Sequence, residues 1–435
     1  MSNIALRILA VVLALILVYV LATFERAAMP RPPRTAVAES APREFVIENA
    51  RVFDGRTTLP KASIHVRDGL IVAVGEVSAP SAVKRIDGTG KTALPGLIDS
   101  HVHTWGSARE DALRFGVTSM LDMFSASEQL SGAREQRLAL TPTHRADFFS
   151  AGTLATVSGG HGTQFGMQIP TVDSAEAAAS WVADRKRENS DYIKIVVEDL
   201  SAYRTSERWP TLAEASVRAL VEAAHANELM AVVHVSKLSS AQMVFDAGAN
   251  GLVHIFQDEV TTPEFTAAAS SRPFFITPTL TVIAGMAGES PSVATDAVLA
   301  PRLTPEQLQT LNARFNKSGA KYPELIERSR ENVRLLHAAG VPILAGSDAP
   351  NPGTAHGASI HEEMAQLVKA GLSNEAALAA ATSAPAAAFS LTDRGQIAPG
   401  LRADILLVNG DPTADITATR NIAAIYKNGS EVGMK

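Results

Sequence analysis

The chain contains Pro95-Gly96-Leu97-Ile98-Asp99-Ser100-His101-Val102-His103, an apolar run that ends in two histidines. On a β-strand, side chains two residues apart point to the same face. His101 and His103 therefore present two imidazoles side by side at the end of a strand. Neutral imidazole is a good ligand for zinc and related ions, so the pair predicts one half of a metal site.

Downstream of this stretch, apolar strand-like runs alternate with helical patterns. The helical patterns include residues 173–187, 211–226 and 238–247. The candidate strands end near His103, Asp122, Ser150, Val196, Val235, Ile255, Thr279 and Asp348. Eight such units over roughly 250 to 300 residues predict a (β/α)8 TIM barrel, over residues 95–392 of this chain.

Short strands lie on either side of the predicted barrel. Residues 44–94 read as strands and tight turns, and Asp68-Gly69 is a strong hairpin signal between two apolar runs. Residues 393–435 return to short β character. We therefore expect an α/β protein in which a small β-sandwich is built from both chain ends.

An uncharged apolar run, ILAVVLALILVYVLATF, occupies residues 8–24. Its length is at the lower limit for a spanning helix and long for the core of a signal peptide. We expect residues 1–28 to form an N-terminal apolar helix that anchors the protein in a membrane, with a cleaved signal as the alternative. Residues 29–43 would be a linker. The catalytic domain would then lie outside the cytoplasm, or the protein would be exported to the periplasm.

Composition narrows the possible ligands and partners. The 435 residues carry a formal net charge of -6 and no basic run, which excludes a nucleic-acid-binding function. The chain has no cysteine, so thiolate metal sites are excluded. Any metal must be held by His, Asp, Glu or a modified Lys. A small-molecule substrate is expected, and a homo-oligomer is possible.

The remaining candidate ligands stand at predicted strand ends, which a barrel gathers around one mouth. They are His234, His254 and Asp348, joined by Lys194 inside an apolar strand. An unpaired ammonium inside a strand would be costly. Together with His101 and His103, these residues predict a complete metal site.

These residues also carry a family resemblance. Residues 94–103, Gly116-Val-Thr-Ser-Met-Leu-Asp122, Gly346-Ser-Asp348 and residues 395–404, with the two later histidines, resemble the amidohydrolase superfamily. Within it, the chain looks most like the imidazolonepropionase and Xaa-Pro dipeptidase (prolidase-like) branch. The resemblance covers about residues 44 to 430. It implies a metal-bearing (β/α)8 barrel with a β-sandwich made from both ends of the chain.

The resemblance implies a binuclear site in which a carbamylated Lys194 bridges two divalent ions. One ion would be held by His101, His103 and Asp348, and the other by His234 and His254. The alternative is a single ion, with His254 polarising the substrate and Lys194 in an ion pair. Nitrogen and oxygen ligands suit zinc first, with manganese, cobalt or iron also possible.

A divalent ion lowers the pKa of its water from ~16 to about 7 and so provides hydroxide at neutral pH. The leading hypothesis is hydrolysis of an amide, peptide or cyclic amide C–N bond, with Asp348 shuttling the proton. An ester or lactone hydrolase is the alternative, and a non-catalytic binding protein on the same fold is a third.

Loop residues near the predicted strand ends are candidates for substrate binding. His161 and His356 would orient the substrate, and Tyr203 with Arg204 would bind a substrate carboxylate. Glu198-Asp199 departs from the Gly-rich continuation of the dipeptidases after the fourth strand, which puts dipeptide specificity in doubt.

Overall fold

A computed structural model describes residues 43–203, 205–315 and 321–433. The predicted N-terminal segment 1–28, the linker up to residue 42 and Arg204 lie outside these residues. From Arg43 onward the chain clusters as one compact unit. The predicted domain boundaries after residues 94 and 392 therefore stay predictions, as does the oligomeric state.

The strands of the described residues are numbered in chain order. They are β1 (Glu44–Phe53), β2 (Thr58–Arg67), β3 (Leu70–Gly75), β4 (Lys84–Asp87), β5 (Lys91–Pro95), β6 (Leu97–Val102), β7 (Val117–Asp122), β8 (Asp147–Ser150), β9 (Ile193–Val196), β10 (Ala231–His234), β11 (Gly251–Val253), β12 (Phe275–Thr277), β13 (Ile405–Asn409), β14 (Ile422–Lys427) and β15 (Ser430–Glu431).

The α-helices follow the same chain order. They are α1 (Ala108–Leu113), α2 (Ala133–Leu138), α3 (Ala178–Arg187), α4 (Glu214–Ala226), α5 (Leu238–Asp246), α6 (Pro263–Ser270), α7 (Leu280–Ala287), α8 (Pro305–Asn312), α9 (Pro323–Ala338), α10 (Ala358–Lys369), α11 (Asn374–Ala380) and α12 (Ser383–Ala388).

One mixed sheet contains strands from both ends of the described chain. Its order is β15-β14-β13-β5-β1-β2-β3, and β4 pairs with β1. β5 pairs in parallel with β1 and antiparallel with β13, so hydrogen bonding runs through a single sheet. The two chain ends therefore share one continuous eight-stranded sheet, and a bridge between Leu70 and Arg402 brings β3 back to the segment before β13.

The hairpin predicted at Asp68-Gly69 is confirmed. β2 and β3 pair antiparallel, with Arg67 opposite Leu70. Asp68 and Gly69 both have positive φ, +51° and +89°. Two successive positive φ values are the geometry of the tight turn whose twist matches the flanking strands.

The parallel strands form two separate sheets. One has the order β6-β7-β8 and the other β12-β11-β10-β9. Isolated parallel bridges connect Ala155 with Ile195 and Ile276 with Ile343. The seven strands end within about two residues of the predicted positions. Regular ladder pairing among the described residues does not close them into the predicted eight-stranded barrel.

The eighth predicted strand is not a regular strand. Residues 342–348 are held between β12 and β6 by isolated bonds, among them Leu344 N to Ile276 O at 2.9 Å and Asp348 N to His101 O at 2.7 Å. A Cβ on Gly346 would lie 2.4 Å from Thr277 Cγ2. Asp348 has a φ of +54°. The close approach of Gly346 to Thr277 and the left-handed backbone of Asp348 interrupt the extended conformation that regular strand pairing needs.

The helices cover the parallel strands with apolar faces. In α4, Val217, Leu220, Val221 and Ala224 are buried and recur at helical spacing. They belong to a large core cluster that also contains strand residues such as Ile193 and Val233. The core therefore lies between strands and helices, beneath the carboxyl ends of the strands.

The described structure does not support the predicted membrane anchoring. No helix in the described ranges is long and apolar enough to cross a bilayer. Helix α9, the longest α-helix of the described residues, has 16 residues, about 24 Å at 1.5 Å per residue, against a hydrocarbon core of about 30 Å. The predicted location outside the cytoplasm is withdrawn, because no described helix supports it and residues 8–24, on which it depends, lie outside the described part.

Candidate metal centre

The carboxyl ends of the parallel strands bring candidate ligands to one place. β6 carries His101 and leads directly into His103, and β11 ends immediately before His254. Asp348 Oδ1 lies 3.4 Å from His101 Nε2 and 3.1 Å from His103 Nε2. Asp348 Oδ2 lies 4.0 Å from His254 Nδ1. The Asp348 carboxylate is therefore the common neighbour of three histidines.

Three of these residues form a group that fits a metal ion. The ligand atoms of His101, His254 and Asp348 all lie within 4.8 Å of one another. Within the described part of the chain, both ring nitrogens of His101, Nδ1 of His103 and Oδ1 of Asp348 are buried without a hydrogen-bond partner. Buried polar atoms normally have partners. Imidazole nitrogens and carboxylate oxygens that lie close together without hydrogen-bond partners are the atoms that a divalent ion binds.

The charge state of the histidines suits the same role. Burial lowers the pKa of His101 well below its usual value, and the charge of Lys194 adds to this effect. Burial also lowers the pKa of His254, with His234 as the next cause. Neutral imidazoles are the form that binds metal.

Thr279 orients the ring of His254. His254 Nδ1 lies 2.6 Å from the Thr279 hydroxyl, which itself lies 2.8 Å from the Pro278 carbonyl. With Nδ1 donating to this hydroxyl, Nε2 would keep its lone pair for a ligand. A hydrogen bond that sets the tautomer in this way is typical of metal-ligating histidines.

Backbone strain is concentrated at the same place. His254, Thr279 and Asp348 all have positive φ, at +117°, +52° and +54°. Such values are uncommon for residues other than glycine and persist where the surrounding structure enforces them. The fold thus holds these residues in a costly conformation that aims them at one point.

Lys194 lies in β9 and is almost fully buried. Burial lowers its pKa to about 7, although the carboxylates of Asp348 and Asp122 act in the opposite direction. A substantial fraction of its amine is therefore neutral at physiological pH. The structure places Lys194 in the wall of the same cavity as the histidines.

His234 stands beside the three-residue group and has a different partner. Its ring centroid lies 4.4 Å from that of His254. Its Nε2 lies 3.2 Å from Oε2 of Glu198, a buried carboxylate. Burial is the largest single influence and raises the pKa of Glu198, but the hydrogen bond and charge of His234, with further hydrogen bonds from Ser236 and Leu200 N, together lower it. A His–carboxylate pair therefore sits next to the metal centre.

Two of the predicted substrate-binding residues line the cavity. His161 stacks on Trp209, with ring centroids 5.4 Å apart, and lies 5.0 Å from the His234 ring. Tyr203 also lines the cavity, and its hydroxyl lies beside Glu198. Arg204, its predicted companion, is outside the described residues.

His356 takes a position behind the site. Its Nε2 donates to the His103 backbone carbonyl at 2.9 Å, and the cavity wall among the described residues does not include it. Burial lowers its pKa to about 4. The structure therefore brings His356 to the backbone of a candidate ligand and not to the substrate space.

The centre lies in a cavity of about 610 Å³. Much of its wall is apolar, and includes Leu154, Phe165, Val282, Ile283, Met286 and Leu325. An apolar pocket with a few convergent polar groups is the usual form of a small-molecule site. Together with the His–Asp group, it defines an enzyme site in an α/β protein.

Several residues of the cavity wall are not predicted as site residues by the sequence, among them Glu198, Gln257 and Trp209. Glu198 stands out in the sequence only as a departure from a family pattern, although a carboxylate directly after an apolar strand is a usable signal. Gln257 follows β11, and its Oε1 is buried and unpartnered among the described residues. Trp209 lies in the loop after β9. No local feature of the sequence marks Gln257 or Trp209 as a site residue.

Comparison with known proteins identifies the family. The sequence profile of the amidohydrolase family matches residues 92–432, most of the chain, and the chain belongs to this family. It is a hydrolase that acts on carbon–nitrogen bonds. Members of the family generally depend on a divalent metal, and the His101, His254 and Asp348 group is a possible site for one.

Individual relatives agree with the imidazolonepropionase and prolidase-like branch. An imidazolonepropionase of Cereibacter sphaeroides is 27% identical over 409 residues, which cover 86% of this chain and 95% of the relative. A solved Xaa-Pro dipeptidase with bound methionine covers 89% of this chain and 99% of its own, with a TM-score of 0.69 and 21% identity. A molinate hydrolase covers 90% and 95%, with a TM-score of 0.70 and 20% identity. These two structures share the fold.

Proposed function

We propose that this chain is a metal-dependent hydrolase that cleaves an amide, peptide or cyclic amide bond in a small molecule. One observation carries the proposal. Buried nitrogen and oxygen atoms of His101, His103 and Asp348 lack partners among the described residues and converge at the wall of an apolar cavity. Such atoms are costly unless a ligand satisfies them.

The fold supports the proposal through its strand ends. The two parallel sheets, the irregular segment 342–348 and the bridge between Val102 and Ala349 follow the order of a (β/α)8 barrel. We infer that these strands together act as a (β/α)8 barrel. The candidate ligands lie at their carboxyl ends, which is where the active sites of such barrels are found.

The ligand set proposed for the centre is binuclear. His101, His103 and Asp348 would hold one ion and His234 with His254 the other, and a carbamylated Lys194 would bridge them. A lysine with a pKa near 7 has the neutral amine that carbamylation needs. Zinc suits the donor set first. The pairing of His234 with Glu198 favours keeping the mononuclear site as the second candidate.

A divalent ion at this place supplies Lewis-acid activation of water and of the scissile carbonyl. Asp348 performs the proton transfers. Its Oδ1 is buried, open and close to two imidazoles, so it takes the proton of the attacking water and delivers it to the leaving nitrogen. The cavity wall excludes bulk water from this transfer.

The test is metal analysis of the purified protein combined with a substrate screen. The screen contains dipeptides, N-acyl amino acids and their amides, cyclic amides and lactones. We expect bound divalent metal and turnover of at least one amide that chelation abolishes. A metal-free protein that hydrolyses nothing after zinc or manganese loading would overturn the proposal, and turnover of lactones alone would favour the ester alternative.

A further inference from the structure

The substrate space contains a buried carboxylate that no step of the proposed reaction uses. Glu198 lines the cavity, and its side chain is 1% exposed. Its Oε1 accepts from Leu200 N at 2.5 Å, and its Oε2 faces His234 Nε2. Glu198 is therefore held in the wall by a contact on each of its two oxygens.

Glu198 also lies beside the Tyr203 hydroxyl. A substrate carboxylate at Tyr203 would therefore lie beside a second, fixed carboxylate, which is unfavourable in a poorly solvated pocket.

A second, independent observation concerns Gln257. This residue lines the same cavity and is 1% exposed, and its Oε1 has no partner within the described ranges. Its position is rigid, because its backbone N–H donates to Ser236 O at 3.0 Å and its carbonyl accepts from Arg328 at 2.7 Å. A buried, open carbonyl oxygen calls for an N–H or O–H donor from a ligand.

The two acceptors belong to one side of the cavity. Glu198 follows β9 and Gln257 follows β11, the strands on either side of β10. Hydrogen bonds between the strand ends, Val197 N to His234 O and Gln257 N to Ser236 O, tie them together. The cavity wall also has an apolar part, with Val282, Ile283 and Met286.

Resting on the proposed hydrolase function, we propose that the site selects apolar amides that carry an N–H donor where a dipeptide or N-acyl amino acid carries its carboxylate. Glu198 repels the carboxylate, Gln257 accepts from the N–H group, and the apolar wall receives the hydrocarbon part. Both residues are specificity-determining, and neither needs to take part in bond cleavage.

The test uses three compounds that differ at one group: N-acetylphenylalanine, its primary amide and its N,N-dimethylamide. Release of acetate is measured with the metal-loaded protein. We expect kcat/KM for the primary amide to exceed that for the free acid by at least tenfold. The dimethylamide, which lacks the donor, should fall below the primary amide.

Variants separate the two residues. Glu198→Gln keeps the shape and removes the charge, so the ratio of primary amide to acid should fall toward one. Gln257→Leu should remove the preference for the primary amide over the dimethylamide. Glu222→Gln is the matched control, since Glu222 is exposed on α4 and lies outside the cavity wall, and it should keep the wild-type ratios.

The outcomes distinguish this inference from the function on which it rests. Turnover with a preference for the acid, or an unchanged ratio in Glu198→Gln, would overturn the inference and leave the hydrolase intact. A substrate carboxylate bound by Arg204 would give that result. If no compound is cleaved, the same ratios are measured as dissociation constants by calorimetry. Metal content is measured for every variant, because Glu198 contacts the candidate ligand His234, and the change in ratio at equal metal content decides.

Discussion

The carboxylate of Asp99 holds Ser347 by two hydrogen bonds, one from Ser347 N at 2.9 Å and one from Ser347 Oγ at 2.6 Å. Asp99 precedes His101 by two residues, and Ser347 directly precedes Asp348. The two bonds therefore set the spacing between two candidate ligands that are far apart in the chain. Partners of this kind orient metal ligands, and their loss weakens metal binding.

Ser347→Ala should lower metal affinity by about 10- to 100-fold while the protein stays folded. The hydroxyl bond is lost and the backbone bond remains, so the ligands are loosened and not removed. Competition with a chromophoric chelator measures the effect. Ser180→Ala, at an exposed position in α3, is the control. If Ser347→Ala and Ser180→Ala lose half of their metal at the same chelator concentration, the bond between Asp99 and Ser347 does not contribute to metal affinity.

Asp348→Asn should abolish turnover while most of the bound metal is retained. An amide oxygen can still act as a ligand, but the side chain can no longer take a proton from water. Single-turnover assays and metal analysis of the same preparation measure the two effects separately. Near-normal activity in this variant would remove Asp348 from the proton-transfer role.

Lys194→Met separates the binuclear site from the mononuclear one. If a carbamylated Lys194 bridges two ions, the variant should lose one of them, and activity should fall by at least about 100-fold. If Lys194 is only a charged neighbour, the metal content should be unchanged. Metal content by mass spectrometry and intact-mass detection of the carbamate in the wild-type protein provide the two readouts.

Much of this site follows from local sequence. The apolar strands and the residues at their ends depend on neighbours in the chain, which explains why the sequence alone predicts His101, His103, His254 and Asp348 as candidate ligands. Side-chain periodicity and turn signals act over a few residues. The Asp68-Gly69 hairpin is predictable for the same reason.

The unpredicted features are all contacts across long sequence distances. The eighth segment is irregular because Gly346 passes against Thr277. His234 pairs with Glu198 across 36 residues, and His356 turns to the His103 carbonyl across 253. No periodicity encodes such contacts, because they arise only when the strand ends are assembled.

Lys427 is expected to be important for stability, away from the site. It is fully buried and donates to Asp147 Oδ2 and Asp404 Oδ2, both at 2.7 Å. Lys427→Met leaves two carboxylates without this cation and should lower the free energy of unfolding by about 3–5 kcal/mol. Urea denaturation measures the loss. Lys84→Met, which removes an exposed ion pair with Glu431, should cost only about 0–1 kcal/mol.

The pH dependence of stability should have a contribution from His361. This residue lies in α10, fully buried, with Nε2 on the Phe115 carbonyl at 2.9 Å and Nδ1 by Thr419 Oγ1 at 3.0 Å. Burial lowers its pKa to about 4 although the Phe115 carbonyl favours the charged form. Of the charged groups around it, Arg420 and Arg302 lower the pKa and Asp296 raises it.

A His pKa lowered by folding stabilises the folded state above the unfolded pKa, and the contribution is lost as pH falls. The unfolded value is ~6.5, so unfolding free energy should drop by about 2 kcal/mol between about pH 7.5 and pH 5 because of this residue. His361→Gln cannot gain the proton and should lack this part of the decline. Urea denaturation at both pH values measures it, with the exposed His144→Gln as control. Equal pH slopes in His361→Gln and the wild type would show that protonation of His361 does not oppose folding.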